Sequence, residues 1–113
     1  MLESAIRARG VENLKKQGWD VTVLHGTAFS GRGRADTVIC AEGLFAWVEW
    51  KTADGQATPI QLHRLGEIRR AGGISFICDA PDLVVSAIRA GMNGEELPVE
   101  VRKGRWPNAA AIR

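Results

Sequence analysis

The sequence predicts a mixed α/β domain, with helices flanking one small sheet. Three observations carry that class. Short apolar runs of strand character, "WDVTVLH", "DTVICA", "LFAWVEWK" and "ISFICD", are interleaved with longer helix-patterned stretches. Those stretches are punctuated by glycine and proline where helices start and stop. A chain of 113 residues has material for one modest core and not for two.

In chain order, "LESAIRARGVENLKKQG" reads as a helix, with Leu2, Ile6 and Leu14 on one side and Gly18 at its C-terminal end. Gly10 weakens its middle turn. "WDVTVLH" is a strand in which Val21 and Val23 alternate with Thr22 and Leu24, and "GTAFSGRGRA" is a loop. "DTVICA" and "LFAWVEWK" are separated only by Glu42-Gly43, which predicts a hairpin. After the loop "TADGQA" comes a helix with Thr58 as N-cap, Pro59 at its first position and Gly72-Gly73 as its stop. "ISFICD" is a buried strand and "PDLVVSAIRAG" a further helix. Residues 1–94 form the domain. Residues 95–113 read as a short strand and an extended basic tail that can belong to it.

The net charge of +2 tolerates a polyanionic partner without requiring one, and arginine far outnumbers lysine, which suits bidentate phosphate contact. No stretch approaches a membrane span, and "MLESAIRARG" has no apolar signal core, so a cytoplasmic protein is expected. Cys40 and Cys78 lie in apolar runs without CxxC or nearby histidine spacing and read as core residues. His25 and His63 lack partners at ligand spacing. Arg69-Arg70 and "RKGR" (102–105) read as solvated charge.

The stretch "EWKTADG" is an odd way to end a core strand. Residues at i and i+2 share a face, so Glu49 and Lys51 stand side by side, with Trp47 and Phe45 behind them. With Glu42-Gly43 as the turn, Cys40 opposes Phe45, Val38 opposes Trp47 and Asp36 opposes Glu49. Two directly opposed carboxylates repel unless a positive charge sits between them. Lys51 is one candidate. A hard divalent cation is the better one, because Mg²⁺ binds through one or two carboxylates and keeps waters for its substrate.

"GRADTVICAEGLFAWVEWK" resembles the PD-(D/E)XK nuclease signature: an aspartate, a spacer of about a dozen residues, then Glu-x-Lys. The continuation "VEWKTADGQATPIQLHRLGEIRRAGGISFICDAPDLV" resembles the VRR-NUC subgroup. There Glu-x-Lys-Thr precedes a glycine-containing loop, a serine or threonine, and a glutamine opening the next helix. The likeness spans residues 3 to about 88. It departs from the family at Ala35, where a proline is usual; that bears on loop stiffness and removes no ligand.

The resemblance implies a restriction-endonuclease-like core and a metal-dependent DNA endonuclease. Asp36 and Glu49 would hold Mg²⁺ or Mn²⁺, and Lys51 would support the attacking water or the scissile phosphate. Gln61 would stand at the edge of the active site, although "TPIQ" is also a capping box that explains it without catalysis. Glu3 would add a third carboxylate from the first helix; Glu12 competes for that role, and an acidic residue also favours a helix N-terminus for its own sake. "SGRGR" (30–34) leads into a strand rather than a helix, so Arg32 and Arg34 read as backbone clamps for nucleic acid and not as a dinucleotide fingerprint. Small phage-type members of this kind imply a homodimer acting on branched DNA such as four-way junctions, with no small-molecule cofactor and no membrane. A non-catalytic nucleic-acid-binding module on the same fold is the alternative, and an inert structural subunit is a third.

Overall fold

The computed structural model describes residues 1–25 and 35–107, with the side chains of residues 35 and 36 outside that description. Along the chain run α1 (Glu3–Lys15), β1 (Asp20–His25), β2 (Ala35–Ala41), β3 (Leu44–Trp50), α2 (Pro59–Arg70), β4 (Ile74–Cys78), a 3-10 turn (Pro81–Leu83), α3 (Val84–Met92) and β5 (Glu100–Val101). The expected α/β order is present. Among the described residues the sheet has five strands in the order β1-β2-β3-β4-β5. The first three strands are antiparallel, and β3, β4 and β5 are parallel. No helix of the described residues is long and apolar enough to cross a membrane.

The Glu42-Gly43 turn closes the hairpin as expected. Glu42 has φ 52° and Gly43 φ 88°, so both central residues occupy the left-handed region that a two-residue turn of this twist requires. Glutamate is an unfavoured residue there. Its side chain is held by the Trp19 indole, which donates to Oε2 at 3.3 Å, and by Arg89 at 3.8 Å. The register is the expected one, with Ala41 opposite Leu44, Cys40 opposite Phe45 and Val38 opposite Trp47. The paired ladder runs as far as Thr37 opposite Val48.

Strand alternation divides β3 between two layers. Ala46, Val48 and Trp50 point into the larger core, which they share with Ile6 and Leu14 of α1 and Val84, Ala87 and Ile88 of α3. Trp47 points the other way, into a smaller cluster with Leu65 and Ile68 of α2 and Ile77 of β4. Glu49 and Lys51 follow Trp47 in parity, so the charged pair belongs to the α2 layer. Cys40 departs from the expected burial. It is exposed, whereas Cys78 is buried. Cys40 sits on the α2 side of the hairpin opposite Phe45, itself 46% exposed, whereas the buried residues of α2 pack on Trp47 and Ile77. Burial pushes the Cys78 thiol up to about 12, which keeps it protonated and unreactive.

Leu2 also differs from its expected place on the helix's apolar side. It is the N-cap of α1 and is 76% exposed, because helical geometry begins only at the next residue. Gly10, the weak point of that helix on propensity, has a tertiary explanation. A Cβ there would stand 2.6 Å from Cζ3 of Trp50 and closer still to its Cη2. The Trp50 ring cannot easily give way, because its indole donates to Oγ1 of the fully buried Thr37 at 2.8 Å. Local propensity favours Gly10→Ala by about 1 kcal/mol. Overpacking opposes it by about 1–3 kcal/mol. The expected result is therefore a net loss of stability, read as a lower urea midpoint at unchanged slope. A higher midpoint would mean that the Trp50 contact yields without cost.

Candidate active site

β3 delivers Glu49 and Lys51 to one end of the sheet. The strand pairing continues past Trp50, since the Lys51 N–H donates to the Cys78 carbonyl at 3.0 Å, so the lysine backbone is held in the ladder. Both charged side chains are buried: Glu49 is 4% exposed and Lys51 2%. Neither group is therefore a solvated surface charge. Burial of such groups is costly without partners, which makes the surroundings of the pair decisive.

α2 begins beside Glu49 for local reasons. Thr58 caps the helix by accepting from the Gln61 N–H at 3.2 Å, and Gln61 Oε1 accepts from the Thr58 N–H at 3.0 Å, closing the capping box. The second half of the same amide turns inward. Gln61 Nε2 donates to Glu49 Oε2 at 3.4 Å. Because Oε1 is occupied by a donor, the amide orientation follows from the bonding itself. Gln61 therefore both caps the helix and touches the central carboxylate, so the two readings of this residue coexist. Its position in the first helical turn also sets the positive end of the α2 dipole near the Glu49 carboxylate.

Trp47 contributes the other contact. Its indole N–H donates to Glu49 Oε1 at 3.3 Å, and its ring carries the Arg64 guanidinium 5.3 Å from the centroid. The strand alternation could have pointed to this pair, because residues 47 and 49 share a face.

Arg102 is the residue that sequence reasoning misplaced. It is 5% exposed rather than solvated. From the end of β5 its guanidinium donates to the carbonyls of Thr52 at 2.9 Å, Ala53 at 3.3 Å and Gly55, and to Glu100 Oε1 at 2.8 Å. Asp79 lies 3.6 Å away. The loop that follows Lys51 is thus tied to β4 and β5 by one side chain. Beside it opens a polar groove of about 560 Å³, lined by Asp54, Gln56, Leu62, Glu100, Arg102 and Arg105. A larger cavity of about 820 Å³, between α3 and Trp106, contains none of the site residues. Arg69 is likewise a structural clamp, donating to the carbonyls of Ser75, Leu97 and Pro98. No pattern within either arginine's own segment marks it, since most of these bonds reach across tens of residues.

The remaining predicted residues fall as follows. Asp36 lies in β2, and its backbone pairs with Leu24 of β1. The β2–β3 pairing ends at Thr37 opposite Val48, one residue short of Asp36 on one strand and of Glu49 on the other. The Asp36 side chain, Arg32 and Arg34 lie outside the described residues. Glu3 opens α1, in the layer on the other face of the sheet. Met1 nevertheless lines a cavity with Ala53 and Asp79, so the first turn of α1 stands at the sheet end where β3 and β4 finish. Among the described residues no group of three acidic, histidine or cysteine side chains could hold a metal ion. His25 and His63 are exposed, the latter 3.7 Å from Glu67.

A mixed five-stranded sheet, flanked by helices on both faces and carrying Glu-x-Lys at the end of its third strand, is compatible with the restriction-endonuclease-like class of fold. Comparison with solved structures finds a "VRR_NUC domain" at a TM-score of 0.58 and 21% sequence identity, covering 77% of this chain and 94% of that one. The chain has the fold of that domain. No protein-family model matches the sequence, and no curated protein matches it.

Proposed function

We propose that this protein is a Mg²⁺- or Mn²⁺-dependent endonuclease that hydrolyses DNA phosphodiester bonds. In this reading it acts as a homodimer on branched DNA such as four-way junctions. The observation that carries the proposal is the buried Glu49–Lys51 pair on one face of β3, with the Gln61 amide on the Glu49 carboxylate. A fold of this kind has little reason to bury two formal charges at a strand end unless they serve chemistry.

The donor set fits a hard cation. Glu49 is an oxygen donor held by Trp47 and Gln61, and Asp36, one step beyond the paired Thr37 and Val48, is proposed as its partner. Glu3 is the third proposed ligand. When bound, the cation supplies Lewis-acid polarisation of a phosphate oxygen and lowers the pKa of a water. The chain's own residues do the rest. Lys51 offers an ammonium group to the attacking water or to charge developing on the phosphate. Gln61 keeps the Glu49 carboxylate turned toward the site. Arg102 holds the loop after Lys51, and Arg32 and Arg34 would clamp the backbone.

Paired cuts across a symmetric branch need two sites related by a two-fold axis. Leu44 and Phe45 at the hairpin tip and Ile60 and Leu62 on α2 are exposed apolar residues available to such an interface.

The test is cleavage of labelled linear, flapped and four-way-junction DNA with Mg²⁺, Mn²⁺ or EDTA, beside light scattering at tens of micromolar protein. Metal-dependent cutting strongest on the junction, by a dimer, is the expected result. Salt-sensitive binding without cutting under any metal would instead establish a binding module. Metal-dependent cutting by a persistent monomer would retain the nuclease and remove symmetric resolution.

A further inference from the structure

We infer that Trp47 is a positioning residue for the metal-binding carboxylate, an inference that rests on the reading of Glu49 as a metal ligand. The indole is a donor only, so its N–H needs an acceptor when buried, and Trp47 is 5% exposed. It finds one in Glu49 Oε1 at 3.3 Å, while Gln61 Nε2 donates to Oε2 at 3.4 Å. Each oxygen of the carboxylate thus receives a neutral donor. Such donors fix the plane of the group and do not themselves cancel its charge.

The ring itself has little freedom to move. It packs with Leu65, Ile68 and Ile77, lies 6.4 Å from the Phe45 ring at a 51° tilt, and carries Arg64 on one face. A rigid donor two residues upstream on the same strand sets Glu49 before any ligand arrives. Hydrogen bonds to metal-ligating groups act in this way, and their loss typically costs between about tenfold and a hundredfold in metal affinity.

Packing alone would be served by any large apolar side chain, so the N–H is the feature to remove. Trp47→Phe retains an aromatic ring and loses the donor. Mg²⁺ titration of the full chain, followed by ¹⁵N–¹H spectra of the indoles, reads the effect without cleavage. In the wild type the Trp47 indole resonance is expected to move as Mg²⁺ binds. That of Trp19, bonded to the Glu42 carboxylate at the hairpin tip, should stay in place and report any unspecific effect on carboxylates. In Trp47→Phe, Mg²⁺ affinity measured by calorimetry should fall by about tenfold or more.

A folded Trp47→Phe protein that binds Mg²⁺ as tightly as wild type would overturn the inference and reduce Trp47 to packing. Should that variant fail to fold, the wild-type titration decides: a Trp47 resonance unmoved at Mg²⁺ concentrations that support cleavage overturns it equally. If Mg²⁺ neither supports cleavage nor moves any indole, the metal-nuclease reading itself falls and takes the inference with it.

Discussion

Asp36→Asn, Glu49→Gln and Lys51→Met should each lower DNA cleavage by about a thousandfold or more. Lewis-acid and electrostatic stabilisation of this kind supplies several kcal/mol, and each 1.36 kcal/mol is tenfold in rate. The three substitutions differ in what they do to the fold. At position 49 a carboxylate accepts from both the Trp47 indole and the Gln61 amide. A glutamine there has one acceptor oxygen, so one buried donor faces another N–H, at a cost of about 1–3 kcal/mol. Glu49→Gln should therefore melt several degrees lower in EDTA, and its rate must be compared per folded molecule. Asp36→Asn removes one negative charge and one proposed ligand together. It should match or slightly exceed wild-type stability in EDTA and gain much less from added metal. A cation that binds only the folded state at a hundredfold excess over Kd contributes about 2.7 kcal/mol. Thermal melts with EDTA and with millimolar Mn²⁺, beside single-turnover cleavage, check all three. Near-wild-type rates in two of the folded variants would move the active site away from this hairpin.

Arg102→Met should be the most destabilising of the arginine substitutions. The guanidinium joins the carbonyls of Thr52, Ala53 and Gly55 to Glu100 and Asp79. Methionine fills much of the volume and satisfies none of them. Breaking a buried charged network from one side costs about 3–5 kcal/mol, a large share of the 5–15 kcal/mol that typically stabilises a domain. Arg102→Lys restores the charge without the planar fork and should recover only part of the loss. Arg70, which is exposed, provides the control, and its replacement by methionine should change stability by less than about 0.5 kcal/mol. Urea unfolding of the four proteins measures these differences. An Arg102→Met midpoint equal to that of Arg70→Met would show that water satisfies the loop carbonyls unaided.

The sequence by itself determined those parts of this protein that depend on near neighbours. Thr37 to Ala41 and Leu44 to Val48 had to pair around Glu42-Gly43, because a two-residue link between apolar runs leaves few other registers. Thr58, Pro59 and Gln61 had to start a helix, because the cap is made within three residues. Glu49 and Lys51 had to share a face, because strand alternation has a period of two. The tertiary structure alone decided the rest. Gly10 is explained by a tryptophan forty residues away, and Arg102 by a loop some fifty residues earlier. Cys40 is exposed because the buried face of α2 closes over Trp47 and Ile77 instead, which no pattern within its own strand records. The exchange of hydrogen bonds among Trp47, Glu49 and Gln61 needs α2 to land on one particular face of β3. Periodicity restricts which residues can face one another, but only the packed chain brings distant segments to within hydrogen-bond range.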